Sequence, residues 1–141
     1  MDGAAPPVER LLDDVREALA HLNAVEDASR ARGAVLVVDD DGRLAEITAR
    51  GLRRLGFDAD ATSTLRTLKT REVVVFDLSL LESLDADAHR ELRASRPIIV
   101  TGATDPASRA LAESVSASDY FIKPIELKEL AAAINRRMAE S

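Results

Sequence analysis

Two kinds of apolar spacing divide the chain near Gly33. Before it, Val8, Leu11, Val15, Ala18, Leu22 and Val25 recur at alternating steps of three and four, and Leu12 and Leu19 widen the stripe. That pattern predicts an amphipathic helix over residues 7–32, ended by Gly33. Beyond it, short apolar runs alternate with helical stretches, so residues 1–33 read as an interaction or dimerisation element and residues 34–141 as a separate domain. Residues 35–38, 73–76 and 98–100 are continuously apolar and rich in β-branched side chains, as strands covered on both faces of a parallel sheet must be. The run FDADA, residues 57–61, alternates and predicts a more exposed strand, while residues 120–122 make a fifth. Between these runs, Leu44, Ile47, Gly51 and Leu55 share one helical face, and Leu127, Leu130, Ala131, Ile134 and Met138 share another. Asp105 followed by Pro106 reads as the cap and first turn of a helix that includes Ala110, Leu111 and Val115. The order βαβαβαβαβ predicts an α/β domain, a doubly wound five-stranded parallel sheet.

Composition narrows the setting. A chain of 141 residues with 46% hydrophobic content suits one domain with a real core. Cysteine is absent, which removes disulfides and thiolate metal sites from consideration. No apolar stretch approaches the roughly 20 residues that span a bilayer, and MDGAAPPVER lacks the basic start and apolar middle of a signal peptide. A soluble, cytoplasmic protein without membrane contact is expected. The formal charge of −6, with one Tyr, three Phe and no Trp, argues against direct binding to nucleic acid.

Against that background the segment VVDDDGR, residues 37–43, calls for an explanation. Adjacent carboxylates about 4 Å apart cost on the order of 4 kcal/mol at an effective dielectric near 20. A polar turn after a strand is the plain reading, and a nearby cation the functional one. In a doubly wound sheet the ligand site lies beyond the carboxyl ends of the strands. Asp39 and Asp40 follow the first strand, Asp77 the third, Thr101 ends the fourth and Lys123 follows the fifth. Independent surface charges would not line up in this way. Three carboxylates suit a hard cation such as Mg²⁺, and with an ammonium and a hydroxyl beside them they form an assembly for phosphoryl transfer to an Asp.

Two families share this outline. DDDGRL, residues 39–44, is similar to the first motif of haloacid-dehalogenase-type phosphatases, in which Asp39 would be the nucleophile and Asp41 the acid/base. That family needs a later acidic pair, whereas only Glu126, Glu129 and Glu140 follow Lys123. From about residue 34 to 138 the chain more closely resembles the response regulator receiver domain: VLVVDDD matches its acidic pair, VVVFD its phosphoacceptor strand, IIVTGA its hydroxyl and DYFIKP its Lys-Pro. The resemblance implies a flavodoxin-like strand order 2-1-3-4-5. It implies that Asp77 accepts a phosphoryl group from a histidine kinase or phosphotransfer protein. Asp40 and Asp77 would ligate Mg²⁺, with Asp39 acting through water and Ser79 adding its backbone carbonyl. Lys123 would pair with the phosphoryl group, and Thr101 and Tyr120 would move as switch residues. Gly102 stands where the family keeps a small residue, and the Lys123–Pro124 peptide is expected to be cis.

The chain also departs from the family. Leu80 and Leu81 replace a Met-Pro pair, the following loop has no Gly, Ser116 stands where Gly is usual, and STLRTLKTR leaves about two turns for the helix before the third strand. The sequence ends shortly after its last helical stretch, so output is expected by contact with a downstream protein through residues 106–115, 119–122 and 126–137. Competing readings are a receiver-like module controlled by binding alone and a fragment of a hybrid kinase. The N-terminal stripe must be buried on a second copy or on the chain's own receiver, and its spacing favours a homodimer.

Overall fold

In a computed structural model of the protein, residues 12–20, 34–69, 72–103 and 105–140 are described. Residues 12–20 are helical (α1) and every one of them is exposed. The remainder of the expected 7–32 helix, and the boundary at Gly33, lie outside the described residues. Strand β1 (Ala34–Val38) begins directly after that boundary.

The apolar alternation within β1 builds two cores. Val35 and Val37 point to one face of the sheet, where they pack with Ala45, Leu52, Leu130 and Ile134, and Leu36 and Val38 point to the other, with Phe76, Leu92 and Val115. Strand β3 (Val73–Asp77) repeats the pattern and is buried throughout. β2 (Asp58–Thr62) pairs only with β1 and keeps the half-exposed alternation expected of an edge. β4 (Ile98–Thr101) and β5 (Asp119–Ile122) complete an all-parallel sheet of order β2-β1-β3-β4-β5, as anticipated. The order reverses between β1 and β3, so their carboxyl ends open onto the crevice where doubly wound folds bind ligands.

Helices α2 (Gly42–Arg54) and α5 (Leu127–Ala139) cover one face, and α3 (Ala86–Ser95) and α4 (Pro106–Ser114) the other. Leu130 and Ile134 are buried as expected, and Asp105 caps α4 by accepting the Ser108 N–H at 2.8 Å. Ser116 has φ +57, the left-handed region, which is why a glycine would suit that position. The Lys123–Pro124 peptide is cis.

Three expectations are corrected. The buried face of α2 is Ala45, Ala49 and Leu52, not Leu44, Ile47 and Leu55, which remain 38%, 65% and 51% exposed. Small alanines let the helix lie close on β1 and β2, and burial followed that close fit rather than side-chain size. Gly51 is half-buried because Leu127 of α5 crosses there: a Cβ would stand 2.8 Å from Leu127 Cδ2. On α4 it is Ala112 that is buried, with Val115 just beyond the helix, while Leu111 stays 43% exposed. No helix forms over residues 63–69 between β2 and β3. Thr62 Oγ1 closes a turn on Thr64, and the segment runs irregularly over the sheet with Leu65 and Leu68 packed on the second core. The connection after β3 is a 3-10 helix (Leu78–Ser83) whose Leu78 and Leu81 are buried, so Leu81 serves the core. Among the described residues no helix is long and apolar enough to cross a membrane.

Candidate functional site

The three consecutive aspartates divide into two jobs. Asp41 is the N-cap of α2, its Oδ1 accepting the N–H groups of Arg43 and Leu44 at 3.1 and 3.2 Å. It is therefore committed to the helix rather than placed as the acid/base that the phosphatase-like alternative requires. The Asp41 N–H in turn donates to Asp39 Oδ1 at 2.9 Å, which fixes the Asp39 carboxylate over the end of β1. Asp39 is buried and Asp40 exposed. Opposite them, Asp77 ends β3 and accepts the Ser79 N–H at 3.1 Å, a bond that the 3-10 turn supplies.

Lys123 closes the cluster. Its backbone N–H donates to Thr101 O at 2.7 Å, prolonging the β4–β5 ladder, and its Nζ reaches Asp39 Oδ2 at 3.0 Å and Asp77 Oδ2 at 3.4 Å. One ammonium thus bridges two buried carboxylates. Carboxylate oxygens of Asp39, Asp40 and Asp77 lie within 4.8 Å of one another. At that spacing each charged pair costs about 3 to 4 kcal/mol at an effective dielectric near 20. Three negative charges face one positive charge, and the remaining deficit suits a divalent cation with oxygen ligands.

Burial is the largest influence on all three ionisable groups. It pushes the Asp39 carboxyl up, and the Asp41 N–H and the Lys123 ammonium only partly oppose it. At Asp77 burial acts in the same sense but is outweighed by the Ser79 N–H and the Lys123 charge, so its pKa is lowered. Burial also disfavours the Lys123 ammonium, yet the bond to Asp39 and the charge of Asp77 raise its pKa. Asp77 is therefore held as a carboxylate beside a cation.

Thr101 is buried at the end of β4, one residue beyond the partner of Asp77, and its Oγ1 accepts the Ala103 N–H at 3.0 Å. A Cβ at Gly102 would meet nothing within 4 Å, so the mouth is open there. Tyr120 is half-buried; its hydroxyl donates to Ala103 O at 3.3 Å, and Arg109 of α4 lies 5.1 Å over its ring. Sequence reasoning missed Arg109, because no spacing rule links a helix arginine to a tyrosine eleven positions on. It also missed the split role of the aspartate run, although an Asp just before a helical stretch is itself a cap signal. Below the carboxylates a cavity of about 440 Å³ runs between α2 and α5, lined by Leu44, Thr48, Val75, Val100, Ile125 and Leu130 among others.

Known proteins share this fold. No family model matches the chain. The chain is 37% identical over 116 residues to the DNA-binding response regulator MtrA of Mycobacterium tuberculosis, covering 76% of this chain and 51% of that one. It therefore spans about half the length of this relative. Among solved structures, a response regulator from Thermotoga maritima superposes with a TM-score of 0.62 at 17% identity, covering 75% of this chain and 97% of that one. A response regulator from Burkholderia pseudomallei, solved with a phosphorylated aspartic acid, a calcium ion and citrate, superposes with a TM-score of 0.57 at 26% identity, covering 76% and 69%.

Proposed function

We propose that this chain, which carries a response regulator receiver domain, accepts a phosphoryl group on Asp77 and converts it into a change of binding surface. The observation that carries the reading is the single Lys123 ammonium bridging Asp39 and Asp77 within a cluster of three carboxylates.

Asp77 Oδ attacks the phosphorus of a phosphohistidine on a histidine kinase or phosphotransfer protein. The P–N bond breaks, and its electron pair stays on the donor imidazole. As Asp77 becomes an acyl phosphate, Lys123 exchanges its carboxylate partner for a phosphoryl oxygen, a charge-assisted bond that strengthens as charge develops. Asp39, Asp40 and Asp77 fit Mg²⁺ by donor type and spacing, and the Ser79 backbone carbonyl would add a further oxygen. When bound, the ion neutralises phosphoryl oxygens and offsets the repulsion among the three carboxylates. Thr101 would release the Ala103 N–H to hydrogen-bond the new group, and Tyr120, whose hydroxyl bonds the same residue's carbonyl, would follow that movement. The change would be read by a downstream protein on the face of α4, β5 and α5, where Leu111 and Ile122 are exposed and Asp119 pairs with Arg136 at 2.7 Å.

A receiver fold controlled by binding alone is the second reading, favoured by the glycine-free loop after Asp77. Incubation with a small phosphodonor and Mg²⁺, followed by intact-mass spectrometry, separates the two. One phosphoryl group on wild type and none on Asp77→Asn supports phosphotransfer. Labelling that persists in the variant, or never appears in wild type, defeats it.

A further inference from the structure

The corrected face of α2 leaves a row of large apolar side chains without cover among the described residues. Leu44, Ile47 and Leu55 are exposed along a span of about 16 Å, next to the place where Gly51 admits Leu127. Arg43, Arg50 and Arg54 are exposed on the same helix, which carries four arginines against Glu46. Residues 12–20 offer the complement. Leu12, Val15 and Leu19 are 50%, 46% and 54% exposed at helical spacing, on a segment with Asp13, Asp14 and Glu17 against Arg16. A short helix of this kind is marginal unless its apolar face is packed.

We propose that α1 docks along the exposed stripe of α2 in the same chain, Leu12, Val15 and Leu19 lying on Leu44, Ile47 and Leu55, with the acidic side chains toward the arginines. Residues 21–33 separate the two parts in the sequence, and even at a helical rise of about 1.5 Å per residue they would span about 20 Å, the length of α2. Because α1 and α2 belong to one chain, docking between them is intramolecular, which favours the chain's own receiver over a second copy at micromolar protein. α1 is then a cover for α2, and any partner that uses this face must displace it. The inference is independent of phosphoryl transfer.

The absence of cysteine makes disulfide trapping clean. The full-length chain carrying Val15→Cys and Ile47→Cys, the middle members of the two stripes, is oxidised at micromolar concentration beside a control carrying Val15→Cys and Glu113→Cys. Docking predicts an intramolecular disulfide that forms at least about ten times faster in the first pair. Equal rates overturn the proposal, as does a cross-linked dimer on mixing the two single variants, which would assign the stripe to a second copy. Hydrogen exchange on the full chain gives an independent reading. Ile47→Asp, at an exposed position, should speed exchange of residues 12–20 at least about tenfold while the strand amides stay unchanged, and unchanged exchange over 12–20 overturns the proposal.

Discussion

Strand β3 is preceded by Glu72 and finishes on Asp77, two acids that are each only 6% exposed. At the Glu72 end the charge is fully met. Arg66 donates through Nη1 and Nη2 at 3.0 and 2.8 Å, the Lys69 N–H adds a third bond at 3.0 Å, and the Glu72 side chain is closed to solvent. At the Asp77 end three carboxylates share one ammonium, and the cluster opens to solvent through Asp40. The first arrangement meets its buried acid with Arg66, which also lies 3.6 Å from Asp60, and holds an irregular connection in place where a helix would otherwise stand. The second retains negative charge that no other described side chain neutralises. Buried charge alone therefore does not mark a site; surplus charge at a strand's carboxyl end does.

That contrast can be broken by substitution. Glu72→Gln should destabilise the fold by about 2 to 4 kcal/mol in urea unfolding, because it removes the buried partner of Arg66; Arg66 is one-third exposed, lies 3.6 Å from Asp60 and can turn to water, which keeps the cost toward the lower end for a broken buried pair. A loss below about 0.5 kcal/mol would mean that the pair does not hold the β2–β3 connection. Asp41→Ala should cost about 1 kcal/mol through the lost cap of α2 and leave the response to Mg²⁺ intact. Loss of that response would show Asp41 to be a ligand. The smallest effect has the opposite sign. In chelator-treated protein at pH 7, Asp39→Asn should stabilise slightly, since burial raises the Asp39 pKa and its ionised form is the costly one. The gain should fade as pH drops through that raised pKa, where wild type neutralises the same group. Destabilisation by Asp39→Asn would place Asp39 with Glu72 as a structural anion.

The continuous β-branched runs made the sheet legible, because strands buried on both faces admit little else, and strand-end placement made Asp39, Asp40, Asp77, Thr101 and Lys123 legible together. The packed face of α2 was not legible. Apolar periodicity weights Leu and Ile above Ala, and here two small alanines and Leu52 met the sheet while Leu44, Ile47 and Leu55 did not. The missing helix before β3 was foreshadowed by its short segment, yet the Arg66–Glu72 pair that holds the replacement in place is set by tertiary contact. Arg109 over Tyr120 belongs to the same class, a contact between elements that no local pattern encodes.

The central claim is that the Asp77 end is built with a charge deficit for a divalent cation. Urea unfolding of wild type across a Mg²⁺ titration tests it most directly, with Asp40→Asn and Glu72→Gln alongside. Wild type should gain about 2.7 kcal/mol at 100 times the dissociation constant, Asp40→Asn should lose most of that gain while remaining folded, and Glu72→Gln should keep it on a lower baseline. A wild-type stability that does not change through millimolar Mg²⁺, or a gain that Asp40→Asn retains in full, would contradict the claim.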